Sequence, residues 1–141
     1  MRLAFKECNE ILGRIDGLYH EAAVKLKLSD SEMNILYTMQ SFPEGCNQSA
    51  IYKGTGLTKS TVNTALKKMQ KNNIIEISPG DGRNTWVSVT SKGHKLIKNT
   101  VGKVREIENE IYDSWAKSQQ DTFMQLISDY AEKLKDKINQ L

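Results

Sequence analysis

Apolar positions along the chain change rhythm several times, and each rhythm predicts an element. Cys8, Ile11, Leu12, Ile15, Tyr19, Ala22, Ala23 and Leu26 recur at helical spacing, which predicts one apolar stripe on a helix from about Leu3 to Leu28. Ser29 or Ser31 is placed to cap a second helix, with Glu32 as box partner three residues after Ser29. Met33, Leu36, Tyr37 and Gln40 set its expected face, and Ser41-Phe42-Pro43-Glu44-Gly45 ends it. From Asn47 the pieces shorten. A brief helix is expected over Gln48 to about Lys53, then a tight turn at Gly54-Thr55-Gly56-Leu57. Thr58 caps the next helix, which runs to about Lys71 with Val62, Ala65, Leu66 and Met69 as its buried stripe. Two short helices about a glycine-bearing turn form the helix-turn-helix pattern.

The period then drops to two. Ile75 and Ile77, and later Val87 and Val89, alternate with Glu76, Ser78, Trp86 and Ser88 around the turn formers of residues 79–84. This predicts a β-hairpin with a polar tip. By alternation Trp86 lies on the polar face, either packed on an adjacent helix or half exposed, and core packing is the expectation. Helical spacing returns after Thr90 or Ser91, either of which can cap a long helix to about Trp115. Its stripe is Ile97, Val101, Val104, Ile107 (or Glu108) and Ile111. A last helix is expected from Ser118–Asp121 onward, with Phe123, Leu126, Ile127, Tyr130, Leu134, Ile138 and Leu141 in register.

Composition narrows the class. With 26% charged and 38% apolar residues over 141 positions, the chain is expected to be one globular domain, neither disordered nor membrane-embedded. Its first ten residues contain acids and no apolar run, so no signal peptide is expected and the cytoplasm is the expected location. Cys8 and Cys46 are the two cysteines and lack metal-ligand spacing, and His20 and His94 form no recognised metal cluster. No cofactor or metal is expected. Neither a nucleophile–base pairing nor a phosphate-cradling glycine loop occurs, so an enzyme is not expected.

Charge is more telling in its distribution than in its sum of +3. Residues 47–98 carry nine basic and two acidic side chains, and 47–75 carry five lysines and no acid, whereas the segments on either side each balance to −2. Such asymmetry marks one part of a molecule for a polyanion, or else gives a solvated basic face.

The order of elements resembles that of the MarR family of bacterial winged helix-turn-helix transcription regulators. Residues 28–36 (LSDSEMNIL) resemble the family's entry into its second helix, and Gln48-Ser49 with Gly56-Leu57-Thr58-Lys59-Ser60-Thr61-Val62 its turn and recognition helix. Asp81-Gly82-Arg83, followed by Val87-Ser88-Val89-Thr90-Ser91-Lys92-Gly93, is similar to the family's wing signature. Tyr52 stands where such units usually carry alanine, and Thr55 where the family usually has leucine. The resemblance implies a mainly α winged helix with some β structure. One MarR-like domain would span 1–141, with dimerisation helices at 1–28 and 118–141, the winged lobe at 29–98 and a long connecting helix at 91–115.

Lys53, Lys59, Lys67, Lys68 and Lys71 are placed to neutralise phosphates of double-stranded DNA. Helix 58–71 would enter the major groove. With its apolar stripe turned inward, Ser60, Thr61, Asn63 and Thr64 are the candidates for base edges. Gln48, Ser49, Thr58 and Asn84 complete the expected contact surface. A merely hydrophilic helix face is the alternative. By the resemblance, Arg83 would insert in the minor groove from wing 79–84. Asp81 would orient it or serve as plain turn chemistry.

Ile11, Ile15, Leu18 and Tyr19, with Phe123, Ile127, Tyr130, Leu134 and Ile138, are surplus to a winged-helix core. They need a partner. The resemblance implies a homodimer on a pseudo-palindromic operator, with folding back as core in one chain as the alternative. It also implies a ligand-responsive repressor and a small apolar or phenolic effector. Two rival functions stay open: a winged-helix module that binds protein, and a redox-sensing regulator working through Cys8 or Cys46.

Overall fold

In the computed structural model, which describes residues 4–80, 82 and 85–141, helices and a hairpin follow one another in the expected order, with one expected helix divided in two. The chain divides into two compact units, one ending at Val104 and the other beginning at Arg105.

In the first unit, α1 (Lys6–Lys25) carries the long apolar stripe, and the expected start at Leu3 lies outside the described residues. Lys27 takes a left-handed φ of 60° and ends the segment before Leu28. Only Ala23 of the stripe is buried; Ile11, Leu12, Ile15, Leu18 and Tyr19 stay 37–57% exposed. Of the two candidate caps for α2 (Asp30–Met39), Ser29 is used. Its hydroxyl accepts from Glu32 N–H at 3.1 Å, while Glu32 Oε1 accepts from Ser29 N–H at 3.3 Å. The expected face of α2 needs correction. Met33 and Leu36 are buried as expected, but Ile35 and Met39 join them, whereas Tyr37 is exposed and Gln40 caps the C-terminus. The cause is that α2 packs on α1, α3 (Gln48–Thr55) and α4 (Lys59–Lys71) together, so it buries a wider arc than a one-sided stripe.

The helix-turn-helix is formed by α3 and α4. The first of these continues through Thr55 and stops at Gly56, whose φ of 67° lets its N–H reach Tyr52 O. A left-handed cap at this site favours glycine. Thr58 accepts from Thr61 N–H at 3.2 Å and starts α4, which buries Val62, Ala65, Leu66 and Met69 as expected. Strands β2 (Ile75–Pro79) and β3 (Thr85–Val89) pair antiparallel with Ile77 opposite Val87. An unexpected two-residue strand, β1 (Cys46–Asn47), pairs with the other edge of β3, giving the order β1-β3-β2. Trp86 corrects the sequence reading too. It faces away from the core, lies against Gly45 and remains 37% exposed, because its neighbour Val87 occupies the inner face.

The expected long helix after the hairpin is two helices, α5 (Ser91–Asn99) and α6 (Val101–Asp113). Buried Thr100 separates them: its hydroxyl donates to Leu96 O at 2.6 Å and its backbone leaves helical geometry at φ −124°, ψ −94°. Thr90 caps α5 through Gly93 N–H at 3.0 Å. Ile35, Leu36, Met39, Ile51, Val62, Leu66, Met69, Ile75, Val87 and Val101 make the fully buried centre of the lobe.

In the second unit α7 (Lys117–Ile138) follows a corner after α6. Gln120 Nε2 donates to Tyr112 O and Trp115 O, and the Trp115 and Phe123 rings meet edge to face at 5.2 Å. Its apolar positions are present at the expected spacing, yet none is buried.

Candidate nucleic-acid interface

Burial of Val62, Ala65, Leu66 and Met69 turns the opposite side of α4 outward, so Lys59, Ser60, Thr61, Asn63, Thr64, Lys67, Lys68 and Lys71 are all exposed. No acid lies between Asn47 and Ile75, and the exposed Lys53 and Ser49 of α3 extend the same polar surface. Several of these side chains are already engaged. Thr58 Oγ1 donates to Thr61 Oγ1 at 2.9 Å, and Thr64 Oγ1 donates back to Ser60 O at 3.0 Å. Thr58 and Thr64 therefore have their hydroxyl protons spent, whereas Thr61 accepts and keeps its own proton to donate.

The structure joins Gln48 and Asn63, fifteen residues apart in sequence, through Tyr52. Gln48 Nε2 donates to Tyr52 Oη at 2.6 Å and also to Asn63 Oδ1, and Tyr52 Oη donates to Asn63 Oδ1 at 3.4 Å. Lys59 Nζ stands 5.8 Å from the centre of the Tyr52 ring, within cation–π range. Sequence reasoning noted Tyr52 only as a departure from alanine. Its spacing of four from Gln48 was the signal that would have paired the two on one helix face.

The two adjacent lysines differ. Lys68 Nζ pairs with Glu32 Oε1 at 3.2 Å, and the Glu32 side chain is only 14% exposed. Burial alone would raise the Glu32 pKa, but hydrogen bonds from Ser29 and Lys68 and the lysine's charge outweigh it and hold the carboxyl below its ordinary value. The pair closes one side of a polar recess of about 360 Å³ lined by Ser29, Ser31, Ser60, Thr61, Thr64 and Ala65 besides Glu32 and Lys68. Lys67, one residue earlier, forms no ion pair among the described residues and points to solvent. Asp81, Arg83 and Asn84 of the expected wing lie outside the described residues, while the strands that carry the wing are in place.

Elsewhere the chemistry is spare. Cys46 is buried against Met39, and burial pushes its thiol pKa up, which disfavours the reactive thiolate. Cys8 is half-buried on α1. His20 Nδ1 lies 2.9 Å from both carboxylate oxygens of Asp30, an exposed pair. Among the described residues no three His, Cys, Asp or Glu side chains could hold a metal, and no helix is long and apolar enough to cross a membrane.

A sequence model of the MarR family matches residues 26–84, from the end of α1 into the wing. No curated protein matches the sequence. Among solved structures, a MarR family regulator from Neisseria meningitidis superposes with a TM-score of 0.84 at 17% identity, covering 99% of each chain. MepR of S. aureus in complex with DNA superposes at 0.73 with 15% identity, over 95% of this chain and 99% of that one. The PcaV transcriptional regulator of Streptomyces coelicolor, in complex with its natural ligand, superposes at 0.68 with 15% identity over 94% and 97%. The family's sequence pattern thus matches across the helix-turn-helix lobe, and along its length the chain shares the fold of these solved regulators.

Proposed function

We propose that this protein is a sequence-specific double-stranded DNA-binding transcription regulator that acts as a homodimer and represses until a small apolar or phenolic ligand releases it. The observation that carries the reading is the outer face of α4. It is a polar and basic surface without an acid, mounted on a fully buried stripe in the lobe that matches the family. In this reading α4 lies in the major groove, where Ser60, Thr61, Asn63 and Thr64 meet base edges while Lys53, Lys59 and Lys67 meet phosphates. The wing, residues 79–84, reaches the minor groove with Arg83. The DNA complex of MepR, similar in fold, supports the docking mode, and the liganded PcaV supports a small-molecule effector.

Selection of bound duplexes from a random pool, followed by binding isotherms at two salt concentrations, tests the proposal. An inverted repeat with half-site centres about 10 base pairs apart is expected, with affinity for it falling steeply as salt rises. Recovery of no common motif, or affinity indifferent to salt, overturns it.

A further inference from the structure

We infer that Tyr52 is a positioning residue that locks Gln48 and Asn63 into one coupled reading unit, presenting a hydrogen-bond donor and an acceptor side by side. The inference rests on the DNA-binding reading above and goes beyond it. The accounting of donors and acceptors carries it. An amide nitrogen has two protons and an amide oxygen two lone pairs. Both protons of Gln48 Nε2 are spent, one on Tyr52 Oη and one on Asn63 Oδ1. Both lone pairs of Asn63 Oδ1 are spent as well, on Gln48 Nε2 and on the Tyr52 hydroxyl proton. What remains for a ligand is Gln48 Oε1, which only accepts, and Asn63 Nδ2, which only donates.

The amides are coupled as well as engaged. Reversing one alone would set two oxygens or two NH2 groups against each other across the contact, so they hold or turn together. In either arrangement the unit offers one donor and one acceptor. Asn63 on its own would read adenine with both amide atoms; tied to Gln48, it does not. In the arrangement observed, Asn63 Nδ2 seeks guanine O6 or N7, thymine O4 or adenine N7. Gln48 Oε1 seeks an exocyclic amine, adenine N6 or cytosine N4. Lys59 above the Tyr52 ring holds the phenol in place from the solvent side. Because Gln48 begins α3 and Asn63 lies in α4, the unit spans both helices of the motif.

The test uses the full-length chain and the random duplex pool already described, with wild type, Tyr52→Phe, Gln48→Ala and Asn63→Ala selected in parallel. Tyr52→Phe keeps the ring, its packing and the cation–π contact, and removes only the hydroxyl. Its motif is expected to match the wild-type motif except at the base pairs read by the unit, where discrimination falls roughly tenfold. Affinity for scrambled DNA stays within about twofold and the thermal midpoint is unchanged. Gln48→Ala and Asn63→Ala should relax those same base pairs, and combining either with Tyr52→Phe should add little. The inference is overturned if Tyr52→Phe keeps full discrimination at every position. Equal losses on operator and scrambled duplexes, the mark of a merely structural hydroxyl, also overturn it. Should Tyr52→Phe fail to fold, Gln48→Ala and Asn63→Ala relaxing different base pairs independently does the same. A wild-type chain that enriches no motif is a separate result, and it removes the DNA-binding reading and this inference together.

Discussion

Gly93 shows how one atom governs the junction between hairpin and α5. A Cβ at this position would stand 2.1 Å from Ile74 O and 2.6 Å from Val89 Cγ1, so helix and strand backbone touch where only hydrogen fits. Thr90 secures the same corner, its hydroxyl reaching Asn73 O at 2.6 Å while it accepts from Gly93 N–H. Gly93→Ala is therefore expected to cost about 1–3 kcal/mol, by forcing backbone apart. Urea unfolding would show it as a lower midpoint with an unchanged slope. Glu32 is the other residue with two duties, closing the cap of α2 and holding Lys68. Its pKa is lowered by folding, so its contribution is complete above the ordinary value of 4.5 and disappears as pH falls through the lower folded value. Glu32→Gln keeps a hydrogen-bonding group for the cap and loses the charge. We expect it to be less stable than wild type by roughly 0.5–1 kcal/mol at pH 7. The gap should shrink as pH falls below 4.5, which a pH series of thermal midpoints would reveal. A gap that widened in acid would mean that the ion pair is not its source.

At the scale of the element, α4 separates two kinds of cation. Lys67 is exposed and unpaired among the described residues, whereas Lys68 is held by Glu32. Lys67→Ala should weaken operator and scrambled duplex alike and lower the salt slope by about one unit. Lys68→Ala should change the slope less, since part of its charge is already neutralised within the protein. Isotherms at several salt concentrations decide between this and equal roles for the two lysines. The stripe of α4 was legible in sequence because its buried residues, Val62, Ala65, Leu66 and Met69, all follow a single helical period. The face of α2 was not, because neighbours on several sides bury Ile35 and Met39 as well as the positions one stripe predicts. Strand β1 has two residues, too few for any alternation to show. The break at Thr100 depends on a hydroxyl turning back to Leu96 O, and helical spacing continues undisturbed across it. The candidate site divides similarly. Outward positions on α4 followed from periodicity, but the junction of Gln48, Tyr52 and Asn63 needs two helices brought together, which no local spacing records.

For the whole molecule, the strongest demand is for something to cover its apolar surface. On α1, Ile11, Ile15, Leu18 and Tyr19 are 37–57% exposed, and on α7, Phe123, Ile127, Tyr130, Leu134 and Ile138 are 40–53% exposed. Isolated exposed apolar residues are ordinary, but stripes repeated at helical spacing over a helix of 20 residues and another of 22 are an interface pattern. α7 has no buried residue of its own, so its stability as an isolated helix would be marginal in water. In the proposed homodimer a second copy would offer the same stripes to the first, and two-fold symmetry would then set two α4 helices for the two halves of an inverted repeat. The proposed homodimer therefore makes a linked prediction. Replacing Tyr130 and Leu134 together with Glu places two charges within the α7 stripe, where assembly would have to desolvate them. Sedimentation at micromolar concentration should show a dimer for the wild type and a monomer or unfolded chain for the double variant. Operator binding should fall with the dimer, while wild-type operator affinity remains the reference. A stable wild-type monomer at that concentration, or a double variant that stays dimeric and keeps its operator, would show that these stripes do not serve to join two chains.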